Sequence, residues 1–282
     1  MLELYAHMQN SLGALRHALK IAVGNADNFN TPGYKYISAS FTTMFDEVLQ
    51  GGSKGKNPMV LGASMTLGST STDFSQGYLT LGTATDSAVV GEGFFLLSKS
   101  AEEYGDTSDK VYTRAGRFFA DVNHEYLVDS FGRKVFGYKV KPNGEVLTSQ
   151  LVPIKLNGAT DIGIKDGGFV VSNYQADNIE GSTTVETPLY KLALTNFRNK
   201  QGLIMTDGGA YIRTIASGEA IAPGTSGKGQ YGNIRGGMLE SSNIDVARAA
   251  LDMQQLNRGF AAVQGVIDDV GRVIQSVIQA FD

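Results

Sequence analysis

The sequence predicts an α+β fold, in which long coiled-coil-type helices at the N- and C-termini pack together and a central all-β domain is inserted between them. Three observations carry this expectation. Apolar residues recur every seven positions from Ser242 to Phe281, they do so again from Met1 to Ala26, and the chain between is cut into short apolar runs by glycine, asparagine and aspartate.

At the C-terminal end Val246, Met253, Phe260, Ile267, Ile274 and Phe281 form one series, and Ala249, Leu256, Val263, Val270 and Val277 form the interleaved one. With Ser242 or Asn243 as N-cap and no internal proline, this reads as one helix of about 36 residues, about 54 Å long. Its apolar stripe is narrow, because Arg248, Asp252, Gln255, Arg258, Asp269, Arg272 and Gln279 point elsewhere. Such a stripe requires a partner helix.

The N-terminal end supplies one, with Met1, Met8, Leu15 and Ala22 in one series and Tyr5, Leu12, Leu19 and Ala26 in the other. The residues expected to form an assembly interface are therefore Tyr5, Met8, Leu12, Leu15 and Leu19 on the first helix. On the second they are Val246, Met253, Leu256, Phe260, Val263, Ile267, Val270, Ile274 and Val277. Gly259, Gly265 and Gly271 each cost about 1 kcal/mol against alanine in a helix interior, so the long helix is weak alone and gains stability from neighbours.

Composition bounds the remainder. The chain has 282 residues with 42% hydrophobic, enough for a sizeable core, and 35 glycines with 12 tyrosines and 14 phenylalanines favour turn-rich β structure. Cysteine is absent, which excludes disulfides and thiolate metal sites. The net charge of -4, with lysine and arginine dispersed among the acids, argues against nucleic acid as a partner. No apolar run approaches the roughly 18 residues of a membrane span, and Glu3, His7 and Gln9 stand where a secretory peptide would be apolar, so neither membrane insertion nor Sec-type export is expected.

In chain order, the first helix is expected from about Leu2 to Asn28 and stops at Asn30-Thr31-Pro32-Gly33, where proline cannot continue it. Phe41, Met44, Phe45, Val48 and Leu49 have helical spacing and predict a short helix over 41–50, ended by the small, polar Gly51 to Asn57 segment. Asn57 to Leu79 reads as extended, and residues 36–73 as a whole as an extended connector. From residue 74 to 236 the β-rich domain follows, with strands expected in Gly91–Ser98, Tyr112–Phe118, Glu125–Tyr138, Pro142–Leu147, Ile162–Val171, Leu189–Phe197 and Leu203–Ile212. Turns are expected at Asp166-Gly167-Gly168 and Asp207-Gly208-Gly209. The helical domain then comprises residues 1–35 and 237–282.

The passage NFNTPGYK, following a heptad helix, resembles the N-terminal signature of the bacterial flagellar rod and hook proteins. The GEGFF, YTRAGRF and EYLVD blocks are similar to further family blocks in order and spacing, and GGMLESSNID resembles the family's lead into its C-terminal helix. Signature residues carried over are Asn28, Asn30, Thr31, Pro32, Gly33, Tyr34, Lys35, Ser242, Asn243, Asp245 and Arg258. The chain departs from the family at Gly24 to Asp27, at His124-Glu125 and at Asn257. The resemblance implies a structural subunit, exported by the flagellar type III apparatus without a cleaved signal, that polymerises with copies of itself and with other rod and hook proteins in the basal body. The single β domain favours a rod protein over a hook protein; a hook-type subunit and a secreted oligomeric binding module are the other readings.

No constellation for catalysis emerges. His7 and His17 lie on nearly opposite faces of the first helix, His124 sits in a turn, and Glu102-Glu103 and Asp268-Asp269 read as solvated faces. The DGG turns lack the additional carboxylates of a calcium loop. Phosphate-loop, dinucleotide and nucleophile-elbow motifs are missing, so no enzyme activity, cofactor or metal is expected.

Overall fold

The structure, a computed structural model, describes residues 2–50, 59–98, 109–123, 125–141, 143–159, 161–174 and 186–281. The Gly51–Asn57 segment, His124 and Glu102-Glu103 lie outside the described residues. Helix α1 spans Leu2–Asp27 and α2 spans Val246–Phe281. Between them, in order, come β1 (Ile37–Gln50), β2 (Met59–Thr72), β3 (Leu79–Leu81), β4 (Ser87–Val90), β5 (Phe94–Ser98), β6 (Lys110–Thr113), β7 (Phe118–Ala120), β8 (Leu127–Asp129) and β9 (Lys134–Val140). They are followed by β10 (Val146–Pro153), β11 (Gly163–Lys165), β12 (Phe169–Ser172), β13 (Thr187–Thr195), β14 (Ile204–Thr206), β15 (Ala210–Ile212), β16 (Gly224–Thr225), β17 (Asn233–Gly236) and β18 (Met238–Glu240). Terminal helices around a β-rich middle make this an α+β chain.

The chain divides into two compact units. A helical unit takes Met1–Asn28, Tyr36–Asp73 and Ile244–Asp282, and a β unit takes Phe29–Lys35 and Phe74–Asn243. In the helical unit α1 packs against α2 and against the antiparallel hairpin β1–β2. Ser11 Oγ accepts the backbone N–H of Met65 at 3.0 Å, tying α1 to β2.

The short helix expected over 41–50 is not there; those residues complete β1. The pairing runs from Ile37↔Thr72 to Gln50↔Met59, and register shifts between Ser40/Phe41, Met44/Phe45, Phe45/Glu47 and Val48/Gln50 interrupt the two-residue alternation. Two shifts skip Gly68 and Ala63 on β2 and two skip Asp46 and Leu49 on β1, so the second half of β1 lacks the regular alternation by which a strand is read from sequence.

The β unit holds a twelve-stranded antiparallel sheet in the order β11-β12-β13-β9-β5-β6-β15-β14, with β10, β16, β7 and β8 branching from it. Two further ribbons pair β17 with β4 and β18 with β3. The predicted DGG turns connect β11 to β12 and β14 to β15. One cluster of its core gathers Phe95, Leu97, Phe118, Leu127, Val135, Leu192 and Leu194, and a second gathers Phe94, Leu96, Tyr112, Phe136, Phe197 and Tyr211.

Candidate functional site

The two helices run antiparallel. A Cβ added to Gly259 would lie 3.6 Å from Leu15 Cδ2, and the Arg16 guanidinium stands 5.7 Å above the Phe260 ring. One turn pair away, Ala22 and Asn25 share a cleft with Arg248, Ala249 and Asp252. Of the heptad residues, Leu12, Leu15, Ala22, Ala249 and Ile267 are buried. Met8, Leu19, Met253, Leu256, Phe260, Val263, Val270 and Ile274 are half-buried, and Tyr5, Val246 and Val277 are exposed. Leu251, Val266 and Val273 add exposed apolar surface that the heptad pattern did not mark. A single copy of the chain thus leaves much of the apolar surface of α2 in solvent.

The base of the helical unit is fixed by polar contacts. Asn25, 2% exposed, donates through Nδ2 to Ile37 O at 2.7 Å and accepts Ile37 N–H on Oδ1 at 3.0 Å, so its amide acts as a short strand partner for the start of β1. The Tyr36 hydroxyl donates to Asp252 Oδ2 at 2.7 Å, and the Arg248 guanidinium lies 4.9 Å over the Tyr36 ring. Burial and then the hydrogen bond to Asp252 raise the Tyr36 phenol above its ordinary value of 10.0. Helix α2 is capped by Asp245, whose Oδ1 accepts the N–H of Ala247 at 2.8 Å and of Arg248 at 3.4 Å. The cap is therefore neither Ser242 nor Asn243; both belong to the β unit.

Within the β unit the signature residues converge. Lys35 is fully buried, and its Nζ donates to Ser75 O and to Glu240 Oε1, both at 2.6 Å. Glu240 Oε1 also accepts Gly77 N–H at 3.0 Å, while Oε2 accepts Arg114 Nε at 2.9 Å. The remaining guanidinium nitrogens of Arg114 donate to Gly91 O and Gly93 O at 2.7 Å and to Val89 O at 3.2 Å. Two buried cations thus share one buried carboxylate, and backbone carbonyls take up the other N–H groups.

The neighbouring signature positions build the walls of this cluster. Gly33 has φ +70, donates to Glu240 O at 2.7 Å, and a Cβ there would lie 2.4 Å from Ala115 N, so no side chain fits. Asn243 donates through Nδ2 to Ser75 O at 3.2 Å and Ser75 Oγ at 3.1 Å, and its N–H reaches Tyr34 O at 3.4 Å. Ser242 is buried, Thr31 O accepts Tyr34 N–H at 3.3 Å, Pro32 is half-buried and Asn30 is exposed. Tyr34 is buried beside Gly209, and burial raises its phenol. Tyr211 is 0% exposed, with a hydroxyl that finds no hydrogen-bond partner among the described residues; burial first, then Tyr34, hold it far above the usual tyrosine range.

The remaining signature residues, Asn28, Arg258 and the capping Asp245, lie in the helical unit. Asn28 closes α1, its N–H at 3.2 Å and its Nδ2 at 2.8 Å from Gly24 O. Arg258 is exposed, in a shallow depression of α2 beside Ala250, Met253 and Ala261. Sequence reading missed Arg114, Glu240, Ser75 and Asn25. The signal available was a charged or amide residue inside an otherwise apolar block, as in VYTRAG and GGMLES. Among the described residues no three His, Cys, Asp or Glu side chains gather as a metal site, and no helix is long and apolar enough to cross a membrane.

These contacts hold backbone segments in place, and none of them presents an activated nucleophile or an open polar pocket. No family model matches the chain. It is 26% identical to a flagellar basal-body rod protein, FlgG, of Bacillus subtilis over 268 residues, 92% of each chain. It is 29% identical to the FlgG rod protein of Agrobacterium fabrum over 258 residues, 88% of each. A flagellar hook protein, FlgE, of Salmonella typhimurium is 30% identical over 115 residues, which is 41% of this chain and 27% of the hook protein.

Proposed function

Because the chain belongs to the bacterial flagellar rod and hook protein family, we propose that it is a structural subunit of the basal-body rod, polymerising helically through its terminal helices as part of the drive shaft between motor and hook. The observation that carries the rod reading is the two-sided match to rod proteins, about nine-tenths of both chains, against barely a quarter of the hook protein. A hook-type subunit is the second reading.

The helical unit supports assembly through its helices. Eight of the heptad residues are only half-buried and three are exposed in one copy, and burying that apolar area at about 25 cal/mol per Å² across many subunits would stabilise a polymer. Coiled-coil contacts between copies would follow the heptad residues, with one surface of each subunit meeting a different surface of the next so that growth does not close. Weak isolated helices also suit passage through the type III export apparatus and ordering on arrival. The partners are then further copies and the other rod and hook proteins, in the periplasmic part of the flagellum, with a structural and not a catalytic role.

Basal bodies purified from cells carrying a tagged chain test this. The tag is expected in the rod fraction after the hook is removed; a tag found only in the hook, or only in the culture medium, overturns the rod reading.

A further inference from the structure

The chain holds four bonds at which a backbone nitrogen can attack the preceding side chain: Asn143-Gly144, Asn157-Gly158, Asp166-Gly167 and Asp207-Gly208. Glycine has no Cβ to shield its nitrogen or to restrict the approach, which is why these pairs are the reactive ones. All four Asn and Asp residues are exposed, so access to solvent does not separate them. Their hydrogen bonds do.

Asn143 is held three times over. The would-be attacking group, Gly144 N–H, donates to Lys141 O at 2.8 Å, Asn143 Oδ1 accepts Glu145 N–H at 3.0 Å, and Lys141 N–H closes the turn on Glu145 O at 2.9 Å. At Asp166, Gly167 N–H donates to Ile234 O at 2.8 Å, while one carboxylate oxygen takes Arg235 at 2.8 Å and the other takes Gly236 N–H at 3.1 Å. Asp207 O accepts Arg133 Nη1 at 3.2 Å, and Phe131 packs so closely on Gly208 that a Cβ there would lie 2.1 Å from its ring. Both of these are also carboxylates, poorer electrophiles than an amide. Asn157 and Gly158 differ from all three. They have φ +49 and +74, and a single bond, from Ala159 N–H to Leu156 O at 2.9 Å, closes their two-residue turn. Among the described residues neither the Asn157 amide nor Gly158 N–H has a hydrogen-bond partner, and a Cβ on Gly158 would meet no atom within 4 Å.

We propose that Asn157 is a site of spontaneous deamidation in the folded protein. Opening its turn breaks one hydrogen bond and releases Asn157 from the left-handed region, where a residue with a Cβ is held at a cost. Rotation about the Asn157 Cα–C bond then brings Gly158 N up to Cγ. Hydroxide removes the Gly158 N–H proton, the nitrogen bonds to Cγ, and Nδ2 takes up a proton from water and leaves as ammonia, so that a five-membered succinimide ring remains. Water opens the ring at either carbonyl and gives aspartate or isoaspartate. Each product adds a negative charge, and isoaspartate adds one carbon to the backbone, so the ring closed by Leu156 O and Ala159 N–H no longer has the geometry of the original turn.

Peptide mapping by mass spectrometry of the full chain, incubated at mildly alkaline pH, tests this against an identical sample unfolded in urea. In urea the two Asn-Gly bonds should convert at similar rates. In the folded chain Asn157 should convert about tenfold faster than Asn143, the factor that about 1.4 kcal/mol, close to the net worth of one hydrogen bond, produces. The converted peptide should contain isoaspartate beside aspartate, since both come from the ring. A rate ratio in the folded chain no larger than in urea overturns the proposal, as does a folded chain in which Asn157 stays intact while the unfolded one reacts. Aspartate without isoaspartate would mean direct hydrolysis and remove Gly158 N from the reaction. None of these outcomes depends on the rod reading.

Discussion

Replacing Glu240 by glutamine isolates the buried charge cluster. The substitution keeps the shape and one oxygen but removes the carboxylate charge shared by Lys35 Nζ and Arg114 Nε, at 2.6 and 2.9 Å, in side chains exposed by 0%, 5% and 0% for Lys35, Arg114 and Glu240. Removing one partner of a buried pair costs about 3–5 kcal/mol, since the cation left behind stays desolvated. A domain of this size loses about 2–4 °C per kcal/mol, so the β unit should melt about 6–20 °C earlier. The chain has no tryptophan, so near-ultraviolet circular dichroism of the buried Tyr34 and Tyr211 is the assay. Lys35→Met should cost a comparable amount, and the double variant should cost less than the sum by about 1–3 kcal/mol. An unchanged melting temperature for Glu240→Gln, or strict additivity of the two changes, would show that the cluster is not an energetic unit.

Three other outcomes follow from the same geometry. Gly265 has no atom within 4 Å of an added Cβ whereas Gly33 would meet backbone at 2.4 Å, so Gly265→Ala should stabilise the helical unit by about 1 kcal/mol and Gly33→Ala should lower β-unit expression and melting temperature; equal effects in thermal melts would contradict the contrast. The raised Tyr36 phenol gives stability that is present in full below pH 10 and lost as pH rises through the higher folded value; Tyr36→Phe should flatten that alkaline decline in a pH series of melts, and a decline of the same slope in both proteins removes Tyr36 as its source. Phe260→Asp, beside Arg16 at the middle of α2, should abolish polymer in electron micrographs while the strand signal of the β unit persists; loss of both together would mean that the two units do not fold independently.

Periodicity made the ends of the fold legible. A heptad repeat unbroken by proline identified α2 except for its start, and the strand runs of the β unit fell between glycine turns where β5, β9, β13 and the β14–β15 hairpin stand. Reading failed where backbone irregularity or long-range contact decides. The register shifts of the β1–β2 hairpin interrupt the alternation that marks a strand, and the cap of α2 depends on which unit Ser242 and Asn243 serve, a tertiary fact with no local signal. The signature residues were visible as a pattern, but their chemistry was not, because Lys35 and Glu240 are 205 positions apart and Lys35 and Ser75 are 40.

That separation bears on what a buried charge cluster does here. In energy alone, a well-packed apolar trio could replace Lys35, Arg114 and Glu240 with little loss, since desolvation offsets most of the Coulombic gain. An apolar trio, however, would tolerate several registers of β18 against β3, whereas Glu240 is satisfied only with Lys35 Nζ, Gly77 N–H and Arg114 Nε all within 3.0 Å. A one-residue slip would move Glu240 to the opposite face of its strand and withdraw its carboxylate from both buried cations. The cluster therefore selects one pairing of the first and last segments of the β unit. The expected signature is that the triple apolar variant Lys35→Met, Arg114→Met, Glu240→Leu melts close to the parent yet gives extra backbone amide resonances for residues 79–81 and 238–240; a single sharp set for those residues would assign the cluster no role in register.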